Sequence, residues 1–491
     1  MNKNRYLLIR NIRGNWSIRL LYEFMYRNPD QAKFGYLNLI SYEFFPPSKP
    51  APTIIKSNFR EKLISKLFFE NALPATLESS LLTNCLHHNI TKRRLFAIRI
   101  VFLLLKSNSS TKLQEAHLRG IPFGKFIHTT LIAKYGIKHF SIRPIRFLTN
   151  IRLFYRFAIG FISTNSAINL HNYSHVVLIN GRDATGVGAQ LAAYINKIEV
   201  ICTENPLHKS DQPQYACWNG NMHHWKVREY EMENTLRSSN LTPDLAHEYI
   251  LEKFSLKSHL WDGQEIKGIP KYLSNRKYVC FFTTSEKETT TCPAGNSRFN
   301  FFDSYDQTKI LETIYQNIVK TEFLLVIRLH PNFTNSKIAR NELNFFKNLT
   351  KNWTNLIIIE NNDSTNSYDL AQNAHLNFIY RSSIGAELSC MGIQAFHTAP
   401  AFWSKLCPDK LMETSEKIST LLLKKGNNVS PKINDYFGFA DFYKNHGKKF
   451  ESLEFESKGF DVKNKRSRKY ITFFNKIELD KPKFNWYQFR G

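Results

Sequence analysis

No stretch of this chain is apolar for long enough to cross a bilayer as a helix. The best run, "LFAIRIVFLLL" (95–105), is too short and carries Arg99. At the start, "MNKNRYLLIRNIRGNWSIRL" has basic residues that interrupt its apolar part, so it does not read as a signal peptide. It reads as a first strand, "RYLLIRNI", entering a turn at Gly14. The seven cysteines form no CxxC and no Cys/His ligand spacing, which fits a reduced, cytoplasmic chain without a structural zinc. The pairs His87-His88 and His223-His224 are adjacent residues, which point apart on a helix or strand, so neither is a metal site alone. Acidic residues are also scarce, with 41 Asp+Glu against 67 Lys+Arg and a net charge of +26. Such an excess suits nucleic acid, an anionic membrane surface or phosphate-bearing substrates, or is simply a basic solvated surface. There is no zinc finger, no RNP-type strand and no basic region followed by heptads, so nucleic acid is not expected.

What is present is ample core material, 42% hydrophobic and 14% aromatic. A chain of 491 residues exceeds one ordinary core, so two domains and a tail are expected. Gly268 and Pro270 mark the connection, giving 1–270, 271–430 and a helical, basic tail over 431–491 that packs back on the first domain. In the first domain "FGYLNLISYEF" alternates like a strand, while "LQEAHLRGI" and "GKFIHTTLIAKYG" read as helical. "SHVVLIN", "GRDATGVGAQLAAYINK" and "IEVICTE" are then strand, turn and helix, and strand: a parallel α/β unit. A second series follows: strands "YVCFFTT", "EFLLVIRLHP", "NLIIIE", "LNFIY" and "IQAFHT", with "TKILETIYQNIVK", "NELNFFKNLTKN", "SYDLAQNA" and "IGAELSCMG" as helices. No internal sequence repeat stands out.

Open α/β sheets bind ligands beyond the carboxyl ends of their strands. Four loops of the second series fit: "TTSEKE" with Glu286 and Glu288, "RLHPN", "NNDSTNSYD" with Tyr368 and Asp369, and "YRSSIGAE". In the last, Ser382 and Ser383 offer hydroxyls, Gly385 permits close backbone approach to an anion, and Glu387 can accept hydrogen bonds from a ribose. The alternatives are an ordinary N-cap at Ser382 or Ser383 and a dipole-complementing Glu387. Arg328 and His330 alternate, placing guanidinium and imidazole on one face to meet a phosphate, unless they are satisfied by a carboxylate and by backbone.

Together, "YVCFFTTSEKE", "FDSYDQTKILETI", "LLVIRLHPN" and "LIIIENNDSTNSYDLAQNAHLNFIYRSSIGAELSCMGIQAF" resemble the nucleotide-binding half of GT-B glycosyltransferases, over roughly residues 275–405. Within these the resemblance is to the capsule-polysaccharide and O-antigen biosynthesis group. The His-Pro and Ser-Ser pairs are similar to motifs of bacterial sialyl- and Kdo-transferases, where they contact a CMP-sugar. Upstream, "LINGRDATGVGAQLAAYINKIEVICTEN" resembles the acceptor-side domain of the capsule group. The resemblance implies an α/β fold of GT-B type, two Rossmann-like domains facing across a cleft. It implies that His330, Ser382, Ser383 and Glu387 hold the nucleotide and phosphates, with Arg328 in support and Tyr368 beside the pocket. The acidic Asp/Glu-Asp/Glu-Gly base motif of the sialyltransferases is missing, so their specific chemistry does not carry over.

Sugar transfer needs a stabilised leaving phosphate and, for inversion, a base for the acceptor hydroxyl. Asp183, Glu204 and His223 or His224 are the base candidates; Asp183 could instead cap the following helix and Glu204 could pair with a lysine. Arg182 suits an acceptor phosphate or carboxylate. The expected partners are a nucleotide-sugar, a lipid-linked or growing glycan and an anionic membrane surface, with no cofactor and no metal. Two other readings stand beside this one: a nucleotide-sugar epimerase or polyol-phosphate transferase of the same fold, and a non-catalytic glycan-binding scaffold.

Overall fold

The computed structural model describes residues 4–11, 20–21, 23–24, 27, 32–39, 95–107, 109–135, 144–204, 214–222, 224–237, 268–285, 306–330, 343–344, 346–361, 363–404, 412, 414–423, 439, 442, 446–450, 453–458, 469–474 and 484–486. Two sheets, each built largely from parallel strands, organise these residues into an α/β architecture.

The first sheet contains β1 (Asn4–Arg10), β2 (Ala32–Asn38), β3 (His175–Ile179), β4 (Glu199–Glu204), β5 (Gln214–Trp218), β11 (Lys448–Lys449) and β14 (Phe484–Trp486). Its order is β11-β5-β4-β3-β1-β2-β14, with β1 to β4 and β14 parallel and β5 and β11 joining antiparallel. Strand order reverses between β1 and β3, so that gap is the topological switch point. Against β3 and β4 packs α3 (Ala184–Ile195), and against α3 pack α1 (Phe123–Tyr135) and α2 (Pro144–His171), all in one core. A Cβ on Gly188 would stand 2.1 Å from the Phe157 carbonyl oxygen, and one on Gly160 would stand 2.2 Å from that of Thr185. Glycine at both places lets α2 and α3 approach backbone to backbone. The stretch "LQEAHLRGI" is not one helix: it closes as a turn with a Leu118–Ile121 bridge, with Arg119 and Gly120 at φ 53° and 76°. That left-handed pair cannot continue a helix.

The second sheet contains β6 (Tyr278–Phe282), β7 (Leu324–Arg328), β8 (Leu356–Ile359), β9 (Leu376–Ile379) and β10 (Phe396–His397), all parallel. The order β10-β9-β6-β7-β8 is the doubly wound arrangement, with its switch point between β6 and β9. Both of those strands are buried at every residue, as strands covered on both faces must be. Helix α5 (Gln307–Ile318) starts at its cap Asp306 and buries Leu311, Ile314, Tyr315 and Ile318 along one face.

In the tail read as helical, Phe439 and Phe442 are helical, while the described residues from Lys448 onward supply strands. Besides β11 and β14, β12 (Leu453–Lys458) pairs with β13 (Lys469–Phe474) antiparallel. The alternation in "LEFESK" and the β-branched and aromatic residues of "KYITFF" favour that pairing. Phe442 and His446 pack on Trp218 of β5, and Phe442 and Phe439 on Phe402 of the second half. Arg228, in α4 (Trp225–Arg237), lies 5.7 Å above the Phe402 ring, so the two halves and the returning chain meet at this residue.

Candidate functional site

At the carboxyl edge of the second sheet, β6 runs into Thr283, Thr284 and Ser285, all buried. The Thr284 hydroxyl donates to the Tyr380 carbonyl at 2.5 Å, bridging the switch point from β6 to β9. Gln307, in the first turn of α5, clasps the Thr284 backbone with both ends of its amide, at 2.8 and 3.1 Å. The Thr283 hydroxyl accepts the His330 backbone N–H at 3.0 Å, which fixes the loop after β7.

Three of the residues singled out in the sequence converge beside this gap. The Glu387 carboxylate accepts the Ser383 hydroxyl at 3.1 Å on one oxygen and the Tyr368 phenol at 2.7 Å on the other. Ser383 and Glu387 come from the start of α7 (Ile384–Cys390), and Tyr368 from α6 (Ser367–Gln372). Asn366 caps α6 by accepting the backbone N–H groups of Tyr368 and Asp369. The buried Tyr278 hydroxyl ties the far end of α6 to β6 by donating to the Leu370 carbonyl at 2.9 Å. Ser383 sits at the N-cap of α7 in helical geometry and makes no side-chain cap bond; its hydroxyl is turned to Glu387.

Two residues do something other than expected. Arg328 ends β7 with its guanidinium buried, donating to the carbonyls of Glu360, Asp363 and Thr365 and to the Ser367 hydroxyl. Four of its five donors therefore strap the 360–367 loop, and a phosphate role is not what its geometry provides. Burial pulls its pKa down from the ordinary arginine value, and the Asp363 carboxylate opposes that shift. The alternation that placed Arg328 and His330 on one face also fails, because β7 ends at Arg328 and His330 lies in the loop beyond. Gly385 does not make room for an anion. A Cβ there would stand 2.3 Å from Cζ2 of the fully buried Trp403, so its task is to seat that indole. The Trp403 Nε1–H in turn donates to the Ser382 carbonyl at 3.2 Å, holding the Ser-Ser turn. His330 is half-buried and Ser382 buried at the same edge, as is Arg381, at φ 55°, whose guanidinium lies 5.6 Å over the Tyr380 ring.

The first sheet has its own polar edge, again at the switch point. Asn11, just beyond β1, extends the ladder with its side chain, donating to the Ile179 carbonyl at 2.8 Å and accepting the Ile179 N–H at 3.1 Å. It also donates to Asp183 at 2.5 Å. Asp183 caps α3 through the N–H groups of Thr185 and Gly186, and burial raises its pKa despite those hydrogen bonds. The capping alternative thus holds for Asp183, and its carboxylate is committed. Asn180 and Gly181 turn the chain at φ 58° and 75°, and the buried Gln190 side chain donates to the Gly181 carbonyl. Asn180 donates to Glu204, at the end of β4, at 2.6 Å, and the Arg182 Nε–H reaches the other end of the Asn180 amide at 3.5 Å. Arg182, Asn180 and Glu204 form one polar series on this edge. His224 is buried and its Nδ1 accepts the Lys226 N–H at the start of α4. His223, Glu286 and Glu288 lie outside the described residues.

Asn11 and Trp403 were not singled out in the sequence, whereas Asn180 begins the Asn-Gly-Arg turn of the quoted "LINGRD". For Asn11 there is the same signal as for Asn180: a polar residue directly after an apolar strand of a parallel sheet. Trp403 has none, because its partner Gly385 belongs to another element.

No family model and no curated protein sequence matches the chain. Among solved structures it is similar to S. aureus MnaA in complex with UDP (TM-score 0.31, 12% identity, covering 70% of this chain and 91% of that one). It is similar to Thermosulfurimonas dismutans KpsC, a beta Kdo 2,7 transferase (TM-score 0.30, 12% identity, covering 57% and 94%). It is also similar to the UDP-N-acetylglucosamine 2-epimerase of Rickettsia bellii (TM-score 0.27, 12% identity, covering 90% and 95%). At such TM-scores none of these similarities bears on the chemistry, which rests on the chain's own residues.

Proposed function

We propose that the chain is a GT-B glycosyltransferase that moves a sugar from a nucleotide-sugar, CMP-linked ahead of UDP- or GDP-linked, to a lipid-linked or growing glycan in bacterial capsule, O-antigen or lipopolysaccharide synthesis. The observation that carries this reading is the Tyr368–Glu387–Ser383 cluster beside the switch point of the second sheet. A carboxylate already oriented by two hydroxyls is set to exchange those bonds for the vicinal hydroxyls of a ribose. Ser382, Ser383 and His330 then face the phosphates. On the first sheet, Glu204 is a better base than Asp183, because Asp183 is spent on the α3 cap and on Asn11. The base takes the acceptor hydroxyl proton, the oxygen attacks the anomeric carbon across the cleft between the sheets, and the sugar–phosphate bond breaks with its electrons passing to the nucleotide phosphate. Arg182 holds the acceptor's anionic group. Transfer proceeds without a metal and at the cytoplasmic face of the membrane.

The test is a thermal-shift panel of CMP, UDP and GDP on the wild type, His330→Ala and Glu387→Ala. One nucleotide is expected to raise the wild-type melting temperature, and both variants should lose most of that shift. A wild type indifferent to all three nucleotides, or variants that respond equally well, overturns the assignment. Incubating the protein with nucleotide-sugar alone separates transfer from epimerisation, since only an epimerase turns over without acceptor.

A further inference from the structure

The helix over 95–105 is apolar on both sides. Ala97, Ile100, Val101 and Leu104 enter the core of the first domain. The opposite stripe holds Leu95, Ile98 and Phe102, exposed at 55%, 43% and 61%, with Arg99 and Lys106 exposed between and beyond them. These positions follow the three- and four-residue helical spacing, so they form one face. An ordinary surface helix puts polar residues there. Around this face the sequence is basic: no Asp or Glu stands between Glu78 and Glu115, while Lys92, Arg93 and Arg94 directly precede the helix. Arg119 lies 5.9 Å over the ring of Phe96, adding another cation to the same helix.

We propose that this face docks the protein on an anionic lipid bilayer. Large apolar side chains flanked by cations, in a stretch with no Asp or Glu from 79 to 114, match the boundary between acyl chains and phosphate headgroups. Leu95, Ile98 and Phe102 enter the acyl region, and the stems of Arg99 and Lys106 carry their charges out to the phosphates. A second copy of the chain fits poorly, because a two-fold contact through this stripe opposes its cations to one another. Among the described residues no helix is long and apolar enough to cross a membrane, so the contact is with the surface. The inference stands apart from glycosyl transfer, since binding is read without turnover.

Sedimentation with vesicles tests it on the full chain. The wild type is expected to bind mixed phosphatidylglycerol–phosphatidylcholine vesicles at low salt, to bind less as salt rises, and to leave pure phosphatidylcholine vesicles largely alone. Ile98→Ser with Phe102→Ser should lower the partition coefficient about tenfold or more, with an unchanged melting temperature because both residues are exposed. Arg99→Gln with Lys106→Gln should weaken binding to the anionic vesicles alone. Indifference of the wild type to anionic vesicles, or unaltered binding by both double variants, overturns the proposal. So does a wild-type dimer in lipid-free buffer that the serine variant converts to monomer.

Discussion

Gly385→Ala separates two roles for one residue. If the glycine lets a ligand approach, alanine weakens nucleotide binding and leaves the fold alone; if it seats Trp403, the fold suffers. The added methyl would stand 2.3 Å from Cζ2 and 2.5 Å from Cη2 of the indole. Carbon atoms prefer about 3.5–4 Å, so the ring or the helix must retreat by roughly 1 Å. Little can give, because the indole is fully buried, stacked on His397 with ring centroids 5.1 Å apart, and tied by Nε1 to the Ser382 carbonyl. Overpacking of this kind costs about 1–3 kcal/mol, and stretching a buried hydrogen bond adds about 1 kcal/mol. The expected loss is thus about 2–4 kcal/mol, read as a lower urea midpoint at unchanged slope and as faster amide exchange over residues 376–390. Trp403→Leu removes the opposing ring, so the double variant should be less unstable than the sum of the single ones by about 1 kcal/mol or more. A Gly385→Ala protein within about 0.5 kcal/mol of wild type, or additive behaviour in the cycle, refutes the packing role.

Arg328→Ala strands the acceptors of the 360–367 loop, so it should cost about 2–4 kcal/mol and open that loop to limited proteolysis. Selective loss of nucleotide affinity in an otherwise stable Arg328→Ala protein would contradict the strap. Acid should destabilise the fold through His446 and His128. Burial pushes both imidazoles down to about 4 from 6.5, and Lys448 and Arg228 press His446 the same way. A lowered folded pKa means that the unfolded chain binds more protons between those values. The contribution is therefore full above pH 6.5 and is lost as pH falls toward 4, on the order of 2–3 kcal/mol per histidine. Urea midpoints measured across that range should show the loss, and His446→Phe should flatten it; an unchanged slope would mean that the imidazole is not held neutral.

The local elements were legible because they are local. "YVCFF" and "LLVI" are continuous apolar runs and "LNFI" is broken only by Asn377, the near-continuous pattern of parallel strands covered on both faces. Asp183 precedes a helix-forming segment and caps it, as its residue type allows. The tail is helical at Phe439 and Phe442 but turns to strands from Lys448, because aromatic residues suit a helix face as well as a strand and pairing with β5, β2 and each other selects strands there.

By itself the sequence determined the α/β alternation, the basic surface, and the loops on which chemistry could reside, since each follows from residue type and short-range period. Tertiary structure decided which side chains in those loops are available. Arg328 and Glu387 are both charged residues of one sheet edge, yet one is consumed by four acceptors of a neighbouring loop and the other is presented by Ser383 and Tyr368. Apart from Ser383, one helical turn before Glu387, the hydrogen-bond partners that settle that difference stand 19 to 39 positions away, and no local pattern encodes them.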